Sequence, residues 1–148
     1  MIMHDIFALS KLAQLHTSRW LKTYDITSSE HSVLVYLAMQ NSSNQESIAR
    51  YMLLDKGTIA RILTKLEDKA LLTRCANPKN RRENLISLTA AGQALVQELA
   101  AVSEQLGQDL RADIPPEDVA VFESVLLQLR RNASQLVHQP QKEGAEGE

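Results

Sequence analysis

One stretch narrows the fold of this chain more than any other: residues 44–89, NQESIARYMLLDKGTIARILTKLEDKALLTRCANPKNRRENLISLT. Apolar residues first recur at helical spacing (Ile48, Ala49, Met52), pass a break at Leu53 and Leu54, and recur again at Ile59, Ile62, Leu63 and Leu66. The spacing predicts a short helix over Gln45 to Met52, a tight turn, and a second amphipathic helix capped at its N-terminus by Asp55. After Ala70 the period shortens from three-to-four toward two: Leu72, Arg74 and Ala76 oppose Leu71, Thr73 and Cys75, and Leu85, Ile86 and Leu88 return. The intervening polar run, Asn77 to Asn84 with Pro78 inside it, reads as a hairpin loop. Two helices with one buried face each, followed at once by a hairpin, predict a mainly α (α+β) fold: a winged helix-turn-helix.

The flanks are helical. Ile6, Leu9, Leu12, Ala13, His16 and Trp20 mark a helix to about Lys22, and Thr27, Ser28 and Ser29 offer caps for one carrying Val33, Leu34, Leu37 and Ala38. Thr89 caps a long helix with Leu95, Leu99, Val102, Leu106 and Leu110, and Pro115 and Pro116 restart the chain into a last helix ending near Val137. The central unit does not need all this apolar surface, so the N- and C-terminal helices are expected to dimerise. The expected organisation is a single domain over 1–137, with a reading unit at about 28–89 and dimerisation helices at about 5–22 and 89–137. Residues 138–148 are expected to form a disordered acidic tail.

The formal net charge of -2 hides an asymmetry. Residues 50–89 carry nine Lys and Arg against four Asp and Glu, a local balance of +5, while the rest balances at -7. Positive potential is thus concentrated on the second helix and the hairpin. The single cysteine, Cys75, excludes an intrachain disulfide, and burial within its strand is the expected state. No metal-ligand spacing, nucleophile–base pair or Gly-rich phosphate loop is present, so neither an enzyme nor a cofactor is expected. No leader and no membrane-spanning stretch can be read, which makes a cytoplasmic protein with no membrane partner the expectation.

A helix that follows a tight turn fits the DNA major groove with its first turns foremost. The free face of the second helix offers Lys56, Gly57, Thr58, Arg61, Thr64 and Lys65. Arg61 is the candidate for base contact, through its two-pronged donor set on guanine, and Thr58 suits a base edge or a thymine methyl. Gly57 permits close backbone approach, while Lys56 and Lys65 suit phosphate. In the hairpin, Lys79, Arg81 and Arg82 suit the minor groove and its phosphates; one arginine is expected to point outward and the other to brace the wing, with Arg81 the better candidate for the outward role. The plain alternative is a solvated, solubilising face and a charged turn.

These residues carry a family resemblance. TIARILTKLEDKALLTR and NPKNRRENLISLT resemble the recognition helix and the D-P-x-D-R-R wing of the multiple-antibiotic-resistance-regulator, or MarR, family of bacterial winged helix-turn-helix transcription factors. The resemblance runs from the first helix to about Val137. It implies a homodimer on pseudo-palindromic promoter DNA, acting as a repressor released by a small ligand or oxidant. It also puts Thr58 and Arg61 on the base-facing surface, Arg81 at the minor-groove position and Arg82 at the second arginine position. Asn77 and Asn80 stand where aspartates are common. Ala70 stands where glycine is common, which argues against a left-handed helix end there.

The resemblance further implies an effector cleft between the dimerising helices and the reading unit. His16, Trp20, His31 and Tyr36 fall in segments that could border it and suit a small aromatic or anionic effector. Ordinary packing of Trp20 and surface placement of the histidines is the alternative. Two functions stay open: a sequence-specific regulator binding double-stranded DNA, and a protein-interaction module on the same scaffold with no specific operator.

Overall fold

The computed structural model describes residues 1–138. Its elements are α1 (Ile2–Leu21), a 3-10 turn (Lys22–Tyr24), α2 (Ser28–Gln40), α3 (Gln45–Met52), α4 (Lys56–Asp68), β1 (Leu72–Asn77), β2 (Asn80–Leu88), α5 (Ala90–Leu110) and α6 (Pro116–His138). Two compact units divide near Glu104, one over Met1–Glu104 and one beginning at Gln105. Apart from His138, which closes α6, the tail expected at 138–148 lies outside the described residues.

The helix starts follow from local chemistry. Thr27 forms a full capping box: its hydroxyl accepts from Glu30 N at 3.2 Å, and Glu30 Oε2 accepts from Thr27 N at 3.1 Å. Asn44 caps α3 by accepting from Ser47 N at 2.8 Å, and Asp55 caps α4 by accepting from Thr58 N at 2.9 Å. Thr89 works in both directions, accepting from Gly92 N at 3.1 Å and donating to Ala70 O at 2.7 Å. Helix α1 begins at Ile2 rather than near Ile6, since nothing in the first residues breaks a helix and Asp5 favours its first turn.

Positive φ at residues other than glycine recurs where helices end, at Asp25, Asn41, Leu53, Ala70 and Asp113. Leu53 (φ 54°) turns the chain after α3, with Leu54 N bonded to Ala49 O at 3.2 Å. Ala70 (φ 57°) turns it after α4, with Ala70 N bonded to Glu67 O at 2.8 Å and Leu71 N to Leu66 O at 3.0 Å. This is a complete Schellman closure. The expectation that alanine at 70 argues against a left-handed end is therefore corrected. The two hydrogen bonds, and the packing of partly buried Leu71 on the core beside Leu66, offset the Cβ penalty.

The core lies between α2, α3, α4 and the hairpin. Val33, Leu34 and Leu37 of α2 meet Ile48 and Ala49 of α3, Ile59, Leu63 and Leu66 of α4, and Leu72 and Ile86 of the two strands. Each large side chain buried here contributes about 1.5–3 kcal/mol of transfer free energy. Leu99 of α5 is also buried, and Gly92 admits the approach: a Cβ there would lie 2.0 Å from Leu71 O. Tyr24 donates to Glu98 Oε1 at 2.5 Å, a bond that raises the tyrosine pKa.

The strands pair antiparallel from Leu72↔Leu88 to Ala76↔Asn84, after which the register jumps to Asn77↔Asn80. Outside this hairpin, Ser43 bridges Ile86, with Ser43 N to Ile86 O at 2.9 Å and Ile86 N to Ser43 O at 2.7 Å. The wing is thereby stitched to the α2–α3 connection. In the unit beginning at Gln105, α6 leaves Val121, Phe122, Val125, Leu126 and Leu127 exposed.

Candidate nucleic-acid interface

The first turn of α4 forms a linked polar set. Asp55 Oδ1 accepts from Thr58 N, and its Oδ2 accepts the Thr58 hydroxyl at 2.6 Å. Thr58 Oγ1 in turn accepts from Arg61 Nη2 at 3.1 Å. Arg61 is exposed, Thr58 is half-buried, and the two bonds from Thr58 hold the Asp55 carboxyl below its usual pKa. Gly57 is exposed beside this set. Lys56 is exposed as well, and its carbonyl accepts from Gln45 Nε2 at 3.3 Å, tying the start of α4 to that of α3.

One turn on, Thr64 faces the hairpin. Its hydroxyl donates to Ala60 O at 2.9 Å and accepts from Arg74 Nη2 at 3.2 Å. Arg74 Nε lies 3.5 Å from Glu67 Oε2 but, though buried, is not aligned for a hydrogen bond. Arg74 thus braces β1 against α4, a role sequence reasoning missed, because nothing local to β1 reveals a partner on another element. Lys65 is exposed at an open cavity of about 360 Å³, lined also by Lys22, Asp25, Thr27, Glu30 and Lys69. There Lys69 Nζ donates to the Asp25 carbonyl and to Oε2 of the buried Glu30, the latter at 2.9 Å.

The wing departs from expectation in one respect. The loop read at Asn77 to Asn84 is a two-residue turn, Pro78 and Lys79, and Asn80 to Asn84 belong to β2. The polar residues carry no alternation that could mark a strand, and the jump in register leaves Arg81, Arg82 and Glu83 as a three-residue excursion from the ladder. Asn77 Oδ1 accepts from Lys79 N at 3.0 Å and Asn80 Oδ1 from Arg82 N at 3.2 Å. The two asparagine side chains therefore satisfy turn amides with neutral acceptors.

Lys79, Arg81 and Arg82 are all exposed. Arg82 lines a second cavity, about 280 Å³, with Lys56, Arg74, Asn44, Gln45, Glu46 and Glu83. Across it Asn44 Nδ2 donates to Glu83 Oε2 at 3.4 Å. Arg81 does not line it.

Cys75 corrects a further expectation. It is exposed, because the alternation that turns Leu72 inward turns Thr73 and Cys75 outward, and a two-stranded sheet leaves that face to solvent. The four residues considered for an effector cleft are not gathered at either cavity. Trp20 packs at a tilt against Tyr24 with ring centroids 4.8 Å apart, Tyr36 likewise against Tyr51 at 4.4 Å, and Tyr36 Oη lies 3.3 Å from Ser43 Oγ. His16 is exposed; His31 is half-buried, and burial lowers its pKa. Among the described residues no group of three His, Cys, Asp or Glu could hold a metal ion. No helix among them is long and apolar enough to cross a membrane.

Known proteins resemble this chain over the helix-turn-helix and the wing. The model of the MarR family matches residues 26–84, from the start of α2 to the end of the wing bulge. Over this stretch the chain is similar to the MarR family. At family level it is a DNA-binding transcriptional regulator. The HTH-type transcriptional regulator SarZ of Staphylococcus haemolyticus is 29% identical over 104 residues, 70% of this chain and 71% of that protein. A MarR transcriptional regulator from Methanosarcina mazei superposes with a TM-score of 0.84 at 26% identity, covering 91% of this chain and 97% of that one. The fold is also that of MepR of Staphylococcus aureus, solved with DNA: TM-score 0.78 at 22% identity, over 90% of this chain and 98% of that one. The MarR model stops short of α5 and α6, whose spacing alone predicted them.

Proposed function

We propose that this protein is a MarR-family homodimeric, sequence-specific repressor that reads pseudo-palindromic promoter DNA. The observation that carries the reading is the first two turns of α4, with exposed Arg61 and half-buried Thr58 on them, beside a wing whose Arg81 is free of the cavity that Arg82 lines. Arg61 reads a base edge, Lys56 and Lys65 attract phosphate, and Arg81 enters the minor groove. Two such units related by a two-fold axis meet half-sites about one duplex turn apart. The apolar side chains left exposed on α1 (Phe7, Leu9, Leu12, Leu15) and on α6 (Phe122, Val125, Leu126) support the dimer.

Release by a small aromatic or anionic effector completes the reading. The paired rings Trp20–Tyr24 and Tyr36–Tyr51 supply stacking faces, and His16 and His31 are the candidate polar partners. Quenching of Trp20 fluorescence by a series of aromatic carboxylates, abolished in Tyr24→Ala, tests that half; no quenching by any of them rejects it.

The DNA half is tested by light scattering together with selection of duplexes from a randomised library. A dimer and enriched two-fold sites are expected; a monomer at micromolar concentration, or enrichment of single asymmetric half-sites only, defeats it. On the enriched duplex, Arg61→Ala is expected to lose discrimination against scrambled DNA, whereas Lys65→Ala weakens both duplexes alike. If DNA binding and its salt dependence persist without Arg61 and Arg81, the chain is instead a protein-interaction module.

A further inference from the structure

Asp55 has more bonds than a helix cap requires. A capping carboxylate needs one oxygen on a backbone N–H, and Asp55 Oδ1 already fills that role on Thr58 N at 2.9 Å. Its second oxygen accepts a hydrogen bond from the Thr58 hydroxyl at 2.6 Å, a short charge-assisted bond. A hydroxyl has one hydrogen to give. With that hydrogen committed to Asp55, Thr58 Oγ1 turns only lone pairs outward, and one of them receives Arg61 Nη2 at 3.1 Å. The seat of the carboxylate is also kept clear: a Cβ at Gly57 would lie 3.2 Å from Asp55 Oδ1, closer than side-chain contacts normally come.

We propose that Asp55 is a specificity-determining positioning residue: through the Thr58 hydroxyl it fixes the orientation in which Arg61 meets the base edge. This rests on the reading of α4 as the helix that contacts bases. An unanchored arginine on an exposed helix face samples many rotamers and must be ordered on binding, equally on any sequence. An arginine held at one nitrogen by Thr58 presents its remaining donors in one plane, and so favours the base whose two acceptors match that plane. The committed Thr58 oxygen makes a second contribution, since it can accept from a base amino group but cannot donate to a base carbonyl.

Asparagine at 55 separates this role from capping. It caps as well as aspartate through its oxygen, while its amide group now donates to Thr58 Oγ1, releasing the hydroxyl hydrogen outward toward Arg61. Asp55→Asn is expected to keep the thermal midpoint and the affinity for scrambled duplex, and to lose about tenfold in discrimination between that duplex and one enriched by the wild-type protein. Thr58→Val is expected to show the same loss, Thr58→Ser to retain wild-type discrimination, and Asp55→Asn to add nothing in the Thr58→Val background. Wild-type discrimination in Asp55→Asn, or an equal loss whether or not Thr58 is present, overturns the inference and leaves the reading of α4 standing. Wild-type discrimination in Arg61→Ala overturns that reading and the inference with it.

Discussion

Replacing Ala70 by glycine should make this protein more stable, although the change removes a methyl group. An L-residue with a Cβ pays about 1–2 kcal/mol in the left-handed region, and Ala70 sits there at φ 57°. Glycine avoids that cost but has more freedom to lose on folding, a penalty of about 0.4–1 kcal/mol. The Ala70 methyl is exposed, so almost no buried area is lost, and the carbonyl that accepts from Thr89 Oγ1 at 2.7 Å is unchanged. The two Schellman bonds, from Ala70 N and Leu71 N, are backbone bonds and survive as well. The balance is a gain of about 0.5–1 kcal/mol. For a chain of this size that corresponds to a rise in Tm of about 1–4 °C, or about 0.5 M in the urea midpoint at constant m. Urea unfolding of both proteins at one fixed concentration measures it, with Ala70→Val as the opposite control, since a β-branched residue suits the left-handed region worst. A midpoint for Ala70→Gly equal to or below wild type, with m unchanged, refutes the argument that the turn after α4 is strained.

Three further outcomes follow from the same geometry. Lys69→Met strips the cation from the buried Glu30 carboxylate and should cost about 2–3 kcal/mol in a denaturant melt. Adding Glu30→Gln, which keeps the capping box, should recover part of it; a double variant no more stable than the single one rejects the pairing argument. Burial lowers the His31 pKa, so the unfolded chain binds the proton more readily: stability is full above about pH 6.5 and declines as the pH falls below it, levelling only below the folded pKa. His31→Gln should flatten that part of a Tm–pH curve, and an unchanged curve would count against it. Arg81→Ala should weaken DNA binding more than Arg82→Ala, which lines the cavity with Glu46 and Glu83; equal losses point to shared phosphate contacts.

The parts of this fold that were legible in the sequence are those set by near neighbours. Asp55, Thr89 and the Thr27 box cap helices through residues three positions away, and helical spacing alone placed the inward faces of α2, α3 and α4, except that Ala38, expected on the α2 stripe, is exposed. What escaped depends on partners far along the chain or on cancelling energies. Ala70 is left-handed because its closure outweighs its own preference. Asn80 to Asn84 join a strand although none is apolar. Arg74 finds Thr64 on another element, and Lys69 finds Glu30 39 residues away. At the candidate site the residue types and the helix were legible, but the direction of the Thr58 hydroxyl was not, since a proton's commitment leaves no trace in spacing.

The outward turn of Cys75 gives an experimenter something that usually has to be engineered. It is the only thiol in the chain and it is exposed on the outer face of β1, midway along the wing. A maleimide dye or nitroxide offered to the unmodified protein should therefore attach at one position per chain. If two chains assemble, the paired labels report the separation between the two wings directly. That ruler needs no cysteine removed elsewhere, and it can be read with and without DNA or small molecules.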